Sequence, residues 1–317
     1  MVRHEERLSG RTVVVTGASS GIGRGAAIRL AALGARVALV ARRGDVLDAL
    51  AAQIAAEGGT AIAVAADVST AADMQRVVAE AIAAFGGIDI WISNAGVGAV
   101  GYFWEIPPAD HARTVEVNVT GVLNGAHVAL THFVARGSGT LINIGSVESD
   151  VPLALQTTYA ATKAAVLSVT RSLNEELRLA GLDDHISVGT VMPWAIDTPF
   201  WSHAGNYTGH AARMAALDDP ELVVDAIVRA CLKPEEKQTV GVKAHGADAS
   251  ARLLPGTTAR ASAEIMRREA ERGTPVPATS GSLHERLPIG TTVDGGVRER
   301  MRLEDDARRA QEHHDGD

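Results

Sequence analysis

A glycine-rich turn between an apolar strand and an Ala-rich helix limits this chain to a small number of folds. Residues 12–15 are a β-branched run typical of a buried strand, the turn follows at residues 16–23 (Thr-Gly-Ala-Ser-Ser-Gly-Ile-Gly), and a helical pattern continues to about residue 33. In this order the N–H groups of the turn and the positive end of the helix point at one place, which suits a phosphate. We therefore interpret the turn as a dinucleotide-binding site rather than as a plain strand-to-helix connection.

The residues of this turn are expected to have separate tasks. Gly17 allows the tight bend, Gly21 lets the backbone approach a pyrophosphate, and Gly23 lets the helix pack closely against the strand. The residues between these glycines are expected to contact the cofactor as well: Ser19, Ser20 and Ile22.

The rest of the first 242 residues alternates between apolar strands and helical patterns. Further strands are predicted at residues 36–40, 61–65, 88–93, 140–146, 186–191 and 239–242. Strands that alternate with helices at this rhythm require a parallel, doubly wound α/β sheet, here of about seven strands with helices on both faces. From residue 243 onward, charged helical pieces alternate with Gly-, Pro- and Thr-rich segments. We therefore expect one α/β domain at residues 1–242 and a partly helical C-terminal extension at residues 243–317.

The end of the second strand bears on the choice of cofactor. It carries Arg42 and Arg43, and the nearest carboxylate, Asp45, comes only at the start of the next helix. An acidic residue at this point would suit the ribose 2′-hydroxyl of NAD(H), whereas an arginine suits the 2′-phosphate of NADP(H). The sequence therefore favours NADP(H) over NAD(H).

Tyr159 and Lys163 lie four residues apart in a long helical pattern at residues 156–180, so both side chains share one face. An ammonium near a phenol favours the phenolate and should lower the pKa of Tyr159 toward that of a general acid or base. Ser146 ends a buried strand, where open α/β sheets bind ligands. Although Tyr-x-x-x-Lys also occurs on solvated helices, the turn that precedes it favours a carbonyl site: Ser146 binds the oxygen, Tyr159 moves the proton and Lys163 tunes Tyr159.

Two other stretches have a functional and a structural interpretation. Asn118 interrupts a helical pattern at residues 108–136, either as a surface irregularity or as an amide or bent carbonyl aimed at a water beside Lys163. Three large aromatic residues follow the strand at residues 186–191, in a chain with only 3% aromatic residues, and we favour a substrate pocket over core packing for them: Trp194, Phe200 and Trp201.

Composition excludes several kinds of partner. The net charge is −8, with 30 basic and 38 acidic residues and no basic block, which argues against nucleic acid or an anionic membrane. One cysteine, Cys231, cannot form an internal disulfide, and no apolar stretch is long enough to span a bilayer. We expect a soluble, cytoplasmic protein with a small-molecule substrate and without a metal site, since no metal-ligand spacing is present.

Together these features resemble the short-chain dehydrogenase/reductase family over about residues 8–242. The motifs that carry the resemblance are residues 16–23, Asp67-Val68, Asn94-Ala95-Gly96, Asn118, Ser146, Tyr159 with Lys163, and residues 193–198. The resemblance implies a Rossmann fold and hydride transfer between a nicotinamide and a carbonyl group or secondary alcohol.

The same resemblance assigns roles to individual residues. Asn118 would hold a water of the proton relay, and Lys163 would also bind the nicotinamide ribose. Further cofactor contacts are implied for Asp67, Val68, Asn94, Ala95, Gly96, Pro193, Ile196 and Thr198, the last two at the nicotinamide carboxamide. It also implies a homodimer or homotetramer, formed through the helices that carry Asn118 and Tyr159.

The chain departs from the family pattern in two places. The usual Pro-Gly after the strand at residues 186–191 is Pro193-Trp194 here, which puts a bulky ring where the backbone is normally bare. The extension also exceeds the family's usual end. Two alternatives to a reductase remain at this stage: a non-catalytic NADP(H)-binding sensor that acts through a partner, and an isomerase or epimerase that retains its cofactor.

Overall fold

The computed structural model describes residues 7–253 and 255–314 and contains a central parallel sheet. The strands are β1 Thr12–Thr16, β2 Arg36–Ala41, β3 Thr60–Ala65, β4 Ile90–Ser93, β5 Ala99–Val100, β6 Gly139–Ile144, β7 Ile186–Pro193, β8 Gly205–Asn206 and β9 Gln238–Val240. Seven of them form one sheet in the order β3-β2-β1-β4-β6-β7-β9, and every neighbouring pair is parallel. This confirms the doubly wound sheet that the sequence predicts. The order reverses between β1 and β4, where such sheets bind ligands.

Helices cover both faces of the sheet. They are α1 Gly21–Ala32, α2 Gly44–Ala56, α3 Ala71–Phe85, α4 Pro108–Val115, α5 Gly121–Arg136, α6 Thr157–Leu179, α7 Phe200–His203, α8 Pro220–Leu232, α9 Val242–Leu253, α10 Pro255–Arg272 and α11 Val297–His314. No helix in the described ranges is long and apolar enough to cross a membrane.

Alternating residues of the strands build two cores. In β1, Val13 and Val15 pack with α1, α2 and α8 on one face, and Val14 packs with α3, α5 and α6 on the other. All five residues of β1 are buried. Burial on both faces is what a parallel sheet requires, and it explains why the strands are continuous apolar runs.

The helical pattern at residues 108–136 is broken where Asn118 stands. Helix α4 ends at Val115, a π-helical turn spans Glu116–Thr120, and α5 begins at Gly121. Single π turns inside helices are often found at functional sites. The interruption predicted at Asn118 is therefore present, and it lies in the interior, because Asn118 is buried.

The C-terminal extension packs against the α/β domain. The sheet ends at Val240, and α9 to α11 contain more helix than predicted, because residues 242–260 are also helical apart from the undescribed Leu254. Asp197 accepts hydrogen bonds from the backbone N–H groups of Val297 (2.8 Å) and Arg298 (2.9 Å), so it caps α11. The division at residue 242 remains a prediction.

A buried arginine holds the extension to the loop after α7. The Arg213 side chain, 1% exposed, forms ion pairs with Glu269 of α10 (3.2 Å) and with Glu304 (2.5 Å) and Asp305 (2.8 Å) of α11. A cation removed from water needs such partners. The loop and both helices are therefore fixed to one another by one side chain.

Candidate active site

One cavity at the carboxyl ends of the strands gathers most of the residues that the sequence singles out. It is lined by the glycine turn, the ends of β2, β4, β6 and β7, the start of α6, and three residues of the extension, Ser282, Arg286 and Leu287. The predicted site residues on its wall are Gly17, Ser19, Ser20, Gly21, Ile22, Arg42, Arg43, Asp67, Val68, Asn94, Ala95, Gly96, Ser146, Tyr159, Lys163, Pro193, Trp194, Ile196, Thr198, Phe200 and Trp201. Two predicted site residues, Gly23 and Asn118, are not part of the lining and lie behind it.

The geometry of the glycine turn requires glycine at two positions. Gly17 has a φ of +68°, and a Cβ there would lie 2.8 Å from Ala95 Cα. A Cβ on Gly23 would overlap the Gly17 carbonyl group and the side chain of Asn94. The Asn94 amide donates to the Thr16 carbonyl (2.9 Å), so it fastens the loop after β4 to the turn.

The start of α1 fits the phosphates of a dinucleotide. Ser20 does not cap the helix with its side chain, and Gly21 N–H donates to the carbonyl of Thr292 in the extension (2.8 Å). Among the described residues, the N–H groups of Ile22 and Gly23 have no hydrogen-bond acceptor. Unpaired N–H groups at a helix N-terminus that borders a cavity suit an anion.

Ser146, Tyr159 and Lys163 meet at the other end of the cavity. Lys163 Nζ donates to the Ile144 carbonyl at the end of β6 (2.8 Å) and lies 5.5 Å from the centre of the Tyr159 ring. The side chain of Ser146 lies near Tyr159 and accepts from the N–H group of Glu148 (3.1 Å). A strand end and one helix face thus place a hydroxyl, a phenol and an ammonium together, as the spacing predicts.

Asn118 uses its side chain to position the wall beside Lys163. Its Nδ2 donates to the Val97 carbonyl (2.8 Å) and to Thr162 Oγ1 (3.0 Å), and its Oδ1 accepts from Val97 N–H (2.9 Å). Because the amide group is occupied on both sides, any water at this position would contact the main chain of the π turn rather than the side-chain amide.

The three predicted pocket aromatics all line the cavity, but they differ in their other contacts. Phe200 lies against the Tyr159 ring, with 5.5 Å between ring centres. Trp194 lines the cavity, donates to the Ala216 carbonyl (3.1 Å) and packs against Ala244 of α9. Trp201 is 8% exposed and packs with Met266 and Val297 of the extension, so it contributes to the core as well as to the cavity.

Comparison with known proteins identifies the family. The short chain dehydrogenase family model matches residues 11–207. The chain belongs to the short-chain dehydrogenase/reductase family. It is therefore an oxidoreductase that acts on CH–OH or C=O groups with NAD(P).

Three similar proteins illustrate the sequence and structural similarity of this short-chain dehydrogenase to other proteins. An uncharacterized oxidoreductase, YxnA of Bacillus subtilis, is 34% identical over 264 residues, which cover 82% of this chain and 74% of that protein. The crystal structure of a Burkholderia phymatum family member in complex with NAD has a TM-score of 0.69 and 25% identity and covers 81% of this chain and 97% of that one. The crystal structure of a metagenomic family member in complex with NADP has a TM-score of 0.61 and 29% identity, and the match covers 73% of this chain and 97% of that one.

The pKa values at the catalytic end of this dehydrogenase differ from the simplest expectation. Burial raises the pKa of Tyr159 and Glu148 raises it further, while the hydrogen bond from Ser146 lowers it. Burial also lowers the pKa of Lys163 to about 8. The expected lowering of the Tyr159 pKa is therefore not found in the protein alone, because burial and the charge of Glu148 both raise this pKa.

Glu148 is a site residue that the sequence analysis missed. Its side chain lies beside Tyr159 and Lys163, is 7% exposed and has one oxygen, Oε2, without a hydrogen-bond partner. Burial raises its pKa to about 8, although Lys163 and the N–H group of Leu153 favour the charged form. The available signal was its position two residues after Ser146, at the carboxyl end of β6.

The end of the cavity around Arg42 and Asp67 is bordered by the extension, which lies beyond the residues that the family model matches. Arg42 donates to the carbonyls of Ser282 (2.5 Å) and Leu283 (3.3 Å). Asp67 is paired with Arg113 and accepts from Ser69 Oγ (2.7 Å). Although burial alone would raise the pKa of Asp67, these partners hold it below its usual value.

Arg43 is turned into the protein. It is 9% exposed and donates to Ser19 Oγ (3.1 Å) and to the carbonyls of Leu287 (3.2 Å), Ile289 (2.8 Å) and Gly290 (3.2 Å). The two arginines, which look equivalent in the sequence, therefore have different surroundings.

Proposed function

We propose that this dehydrogenase uses NADP(H) and transfers a hydride between the nicotinamide and a hydrophobic ketone, aldehyde or secondary alcohol. The observation that carries the proposal is the single cavity with Ser146, Tyr159 and Lys163 at one end and the glycine turn with Arg42 at the other. Phe200, which lies against Tyr159, and Trp194 both line this cavity, which favours a substrate with apolar groups.

In the direction of reduction, Ser146 and Tyr159 bind the substrate oxygen and Tyr159 donates the proton. The bound nicotinamide supplies the hydride. Negative charge that develops on the oxygen is stabilised by two hydroxyl donors in a site with little water. Lys163 compensates charge on the Tyr159 oxygen and binds the nicotinamide ribose, while the π turn at Asn118 holds the water that connects Lys163 to solvent.

Different residues around the cavity bind different parts of the cofactor. The N–H groups of Ile22 and Gly23 receive the pyrophosphate, Asp67, Val68 and the loop at Asn94 border the adenosine, and Ile196 and Thr198 contact the carboxamide. Arg42, which has further N–H donors beside those used by the extension, receives the 2′-phosphate.

The intact catalytic group supports catalysis over a non-catalytic sensor. A protein that only senses NADP(H) needs the glycine turn and Arg42, but it has no use for a buried tyrosine and lysine beside an apolar pocket. An isomerase or epimerase that retains its cofactor would use the same cavity, and no separate feature of the described residues favours it.

We further propose a homodimer or homotetramer that uses the helices carrying Asn118 and Tyr159. Three apolar side chains on or beside α5 are more than 40% exposed, Val115, Leu123 and Val134. Exposed apolar residues on one helix favour an interface. The molar mass in solution, from light scattering, would overturn this proposal if it equalled that of one chain.

The test of the main proposal is NADPH oxidation against a panel of apolar ketones and aldehydes, run beside Tyr159→Phe. Turnover that is lost in the variant supports the reductase, and the same panel with NADH tests the cofactor preference. NADPH binding without turnover on any member of a broad panel would contradict the proposed substrate class.

A further inference from the structure

The segment of the extension at residues 282–292 forms part of the wall around the adenosine end of the cofactor cavity. Ser282, Arg286 and Leu287 line the same cavity as Ser20 and Arg42. On either side of Arg286, the main chain is fixed by carbonyl groups that accept from Arg42 and from Arg43. The position of Arg286 is therefore determined by contacts with the α/β domain.

Arg43 makes more of these contacts than Arg42. Its Nη1 and Nη2 atoms donate to three main-chain carbonyls of the extension, those of Leu287, Ile289 and Gly290, and its Nε donates to Ser19 Oγ (3.3 Å). A guanidinium has five N–H groups, so little of Arg43 is left for a ligand. Its role is to position the extension.

Arg42 and Arg286 are the cations that remain directed at the cavity. Arg42 uses only Nη1 and Nη2 toward the extension. Arg286 is exposed, and no ion pair of Arg286 is found among the described residues. Burial lowers the pKa of Arg42, the carboxylate of Asp67 raises it, and the guanidinium groups of Arg113 and Arg286 lower it further.

The local charge balance calls for an anion. The carboxylate of Asp67 is paired with Arg113, and it compensates the charge of Arg42 only in part. Arg286 has no ion pair with a carboxylate among the described residues. Two guanidinium groups at the rim of a cavity form a site that suits a phosphate, which each can bind with two parallel hydrogen bonds.

We propose that Arg286 of the extension binds the 2′-phosphate of NADP(H) together with Arg42, and that residues 282–292 complete the adenosine part of the cofactor site. This inference rests on the proposed preference for NADP(H). The extension is thus part of the cofactor site rather than an appendage, and Arg286 is a specificity residue that lies outside the family's matched region.

The test measures binding of two cofactor fragments, 2′,5′-ADP and 5′-AMP, to the full chain by isothermal titration calorimetry. It compares the wild type with Arg286→Gln, Arg286→Lys, Arg42→Gln and the control Arg309→Gln, whose side chain is 66% exposed on α11. We expect Arg286→Gln to weaken 2′,5′-ADP about tenfold and 5′-AMP less than about twofold, since one charged hydrogen-bond partner of the 2′-phosphate is lost. Arg286→Lys should recover part of the loss, and Arg309→Gln should change neither affinity.

Three other results would overturn the proposal. If Arg42→Gln weakens 2′,5′-ADP while Arg286→Gln does not, the NADP(H) preference stands and Arg286 has no part in it. If Arg286→Gln weakens both fragments equally, the residue only positions the segment. If the wild type binds 5′-AMP as tightly as 2′,5′-ADP, the proposed cofactor preference fails, and this inference fails with it.

Discussion

The two ends of the cavity are built in different ways. At the catalytic end, Ser146, Tyr159 and Lys163 come from one strand end and one helix, and Ser146 and Lys163 are only 17 positions apart in the sequence. At the adenosine end, Arg42 and Arg43 bind main-chain carbonyls about 240 positions later. The first end depends on local spacing that a sequence displays, and the second depends on the docking of a distant segment. The two ends should therefore respond separately to mutation.

Tyr159→Phe should break the catalytic end and spare the other. Loss of the proton donor is expected to lower kcat by about a thousandfold or more, because general acid catalysis contributes roughly 10²- to 10⁴-fold. The affinity for NADPH should change by less than about twofold, since the ring and its contact with Phe200 remain. Stopped-flow absorbance and calorimetry measure the two quantities, and equal losses in both would contradict the separation.

Arg213→Met should loosen the extension without touching the catalytic residues. Removal of the buried cation leaves Glu269, Glu304 and Asp305 only their longer ion pairs on the surface of α10 and α11. We expect a loss of roughly 3 kcal/mol in the free energy of unfolding of that region, since the buried pairs are the ones removed. Urea unfolding followed by limited proteolysis within residues 204–217 and 255–314 measures it. Arg309→Met is the control. It removes the exposed ion pair between Arg309 and Asp306 and should lower the free energy of unfolding by less than about 1 kcal/mol.

Glu148→Gln should change how stability depends on pH. The pKa of Glu148 is about 8 in the folded protein against 4.5 normally, so the folded state binds this proton more tightly than the unfolded state. The contribution of this proton to the free energy of unfolding is fully present below about pH 4.5 and is lost as the pH rises to about 8. In Glu148→Gln this side chain does not titrate. The free energy of unfolding of the variant should therefore exceed that of the wild type at pH 9 by on the order of 2–3 kcal/mol, with little difference at pH 4.5.

Urea unfolding of both proteins at pH 4.5 and 9 provides the measurement. Lys163 limits the gain, because its charge favours the Glu148 carboxylate. The exposed Glu236→Gln is a suitable control, since its side chain is 51% exposed. Parallel pH profiles of the wild type and Glu148→Gln would show that Glu148 is not the buried acid described above.

Arg42→Ala should act on the adenosine end alone. We expect the Kd of NADPH to rise about tenfold and that of NADH to change less than about twofold, because only NADPH carries the 2′-phosphate. The kcat with saturating cofactor should stay close to that of the wild type. A retained preference for NADPH would mean that Arg42 is not the arginine that selects the cofactor.

Trp194→Gly restores the residue pair usual for the family and should have the smallest effect. The loss of the ring opens the wall next to Pro193 and removes its contact with Ala244. We expect the ratio of kcat/KM for a bulky ketone to that for a small ketone to rise about threefold to tenfold. This is below the roughly 10- to 200-fold that one methylene group gives in an enclosed apolar pocket, because Trp194 is only half-buried. An unchanged ratio would place Trp194 outside the substrate site.

Most of the fold follows from the sequence because its signals are local. The β-branched runs, the glycine turn and the i, i+4 pair Tyr159 and Lys163 each lie within a few residues, so their geometry is determined by strand and helix periods. Asn118 indicated a break in the helix for the same reason. The pattern could not give the length of the π-helical turn or show that Asn118 would lie within it.

Glu148 and the extension escaped prediction for two physical reasons. Glu148 stands beside Ser149 and Asp150, and such a polar run is usually solvated, so its burial depends on how later residues fold over it. The extension docks through carbonyl oxygens at Ser282, Leu287 and Ile289. Because every residue has a carbonyl group, no sequence pattern marks the acceptors that Arg42 and Arg43 select.

The contacts of Arg43 with the extension also have a consequence for biosynthesis. A ribosome adds residues 287–290 long after residues 12–242, and at ordinary rates of translation the α/β domain has seconds to fold before its last wall arrives. During that interval the catalytic end can be complete while the adenosine end is open. Nascent chains held at different lengths should therefore acquire the sheet first and the closed cofactor site only when the segment around Ile289 has emerged.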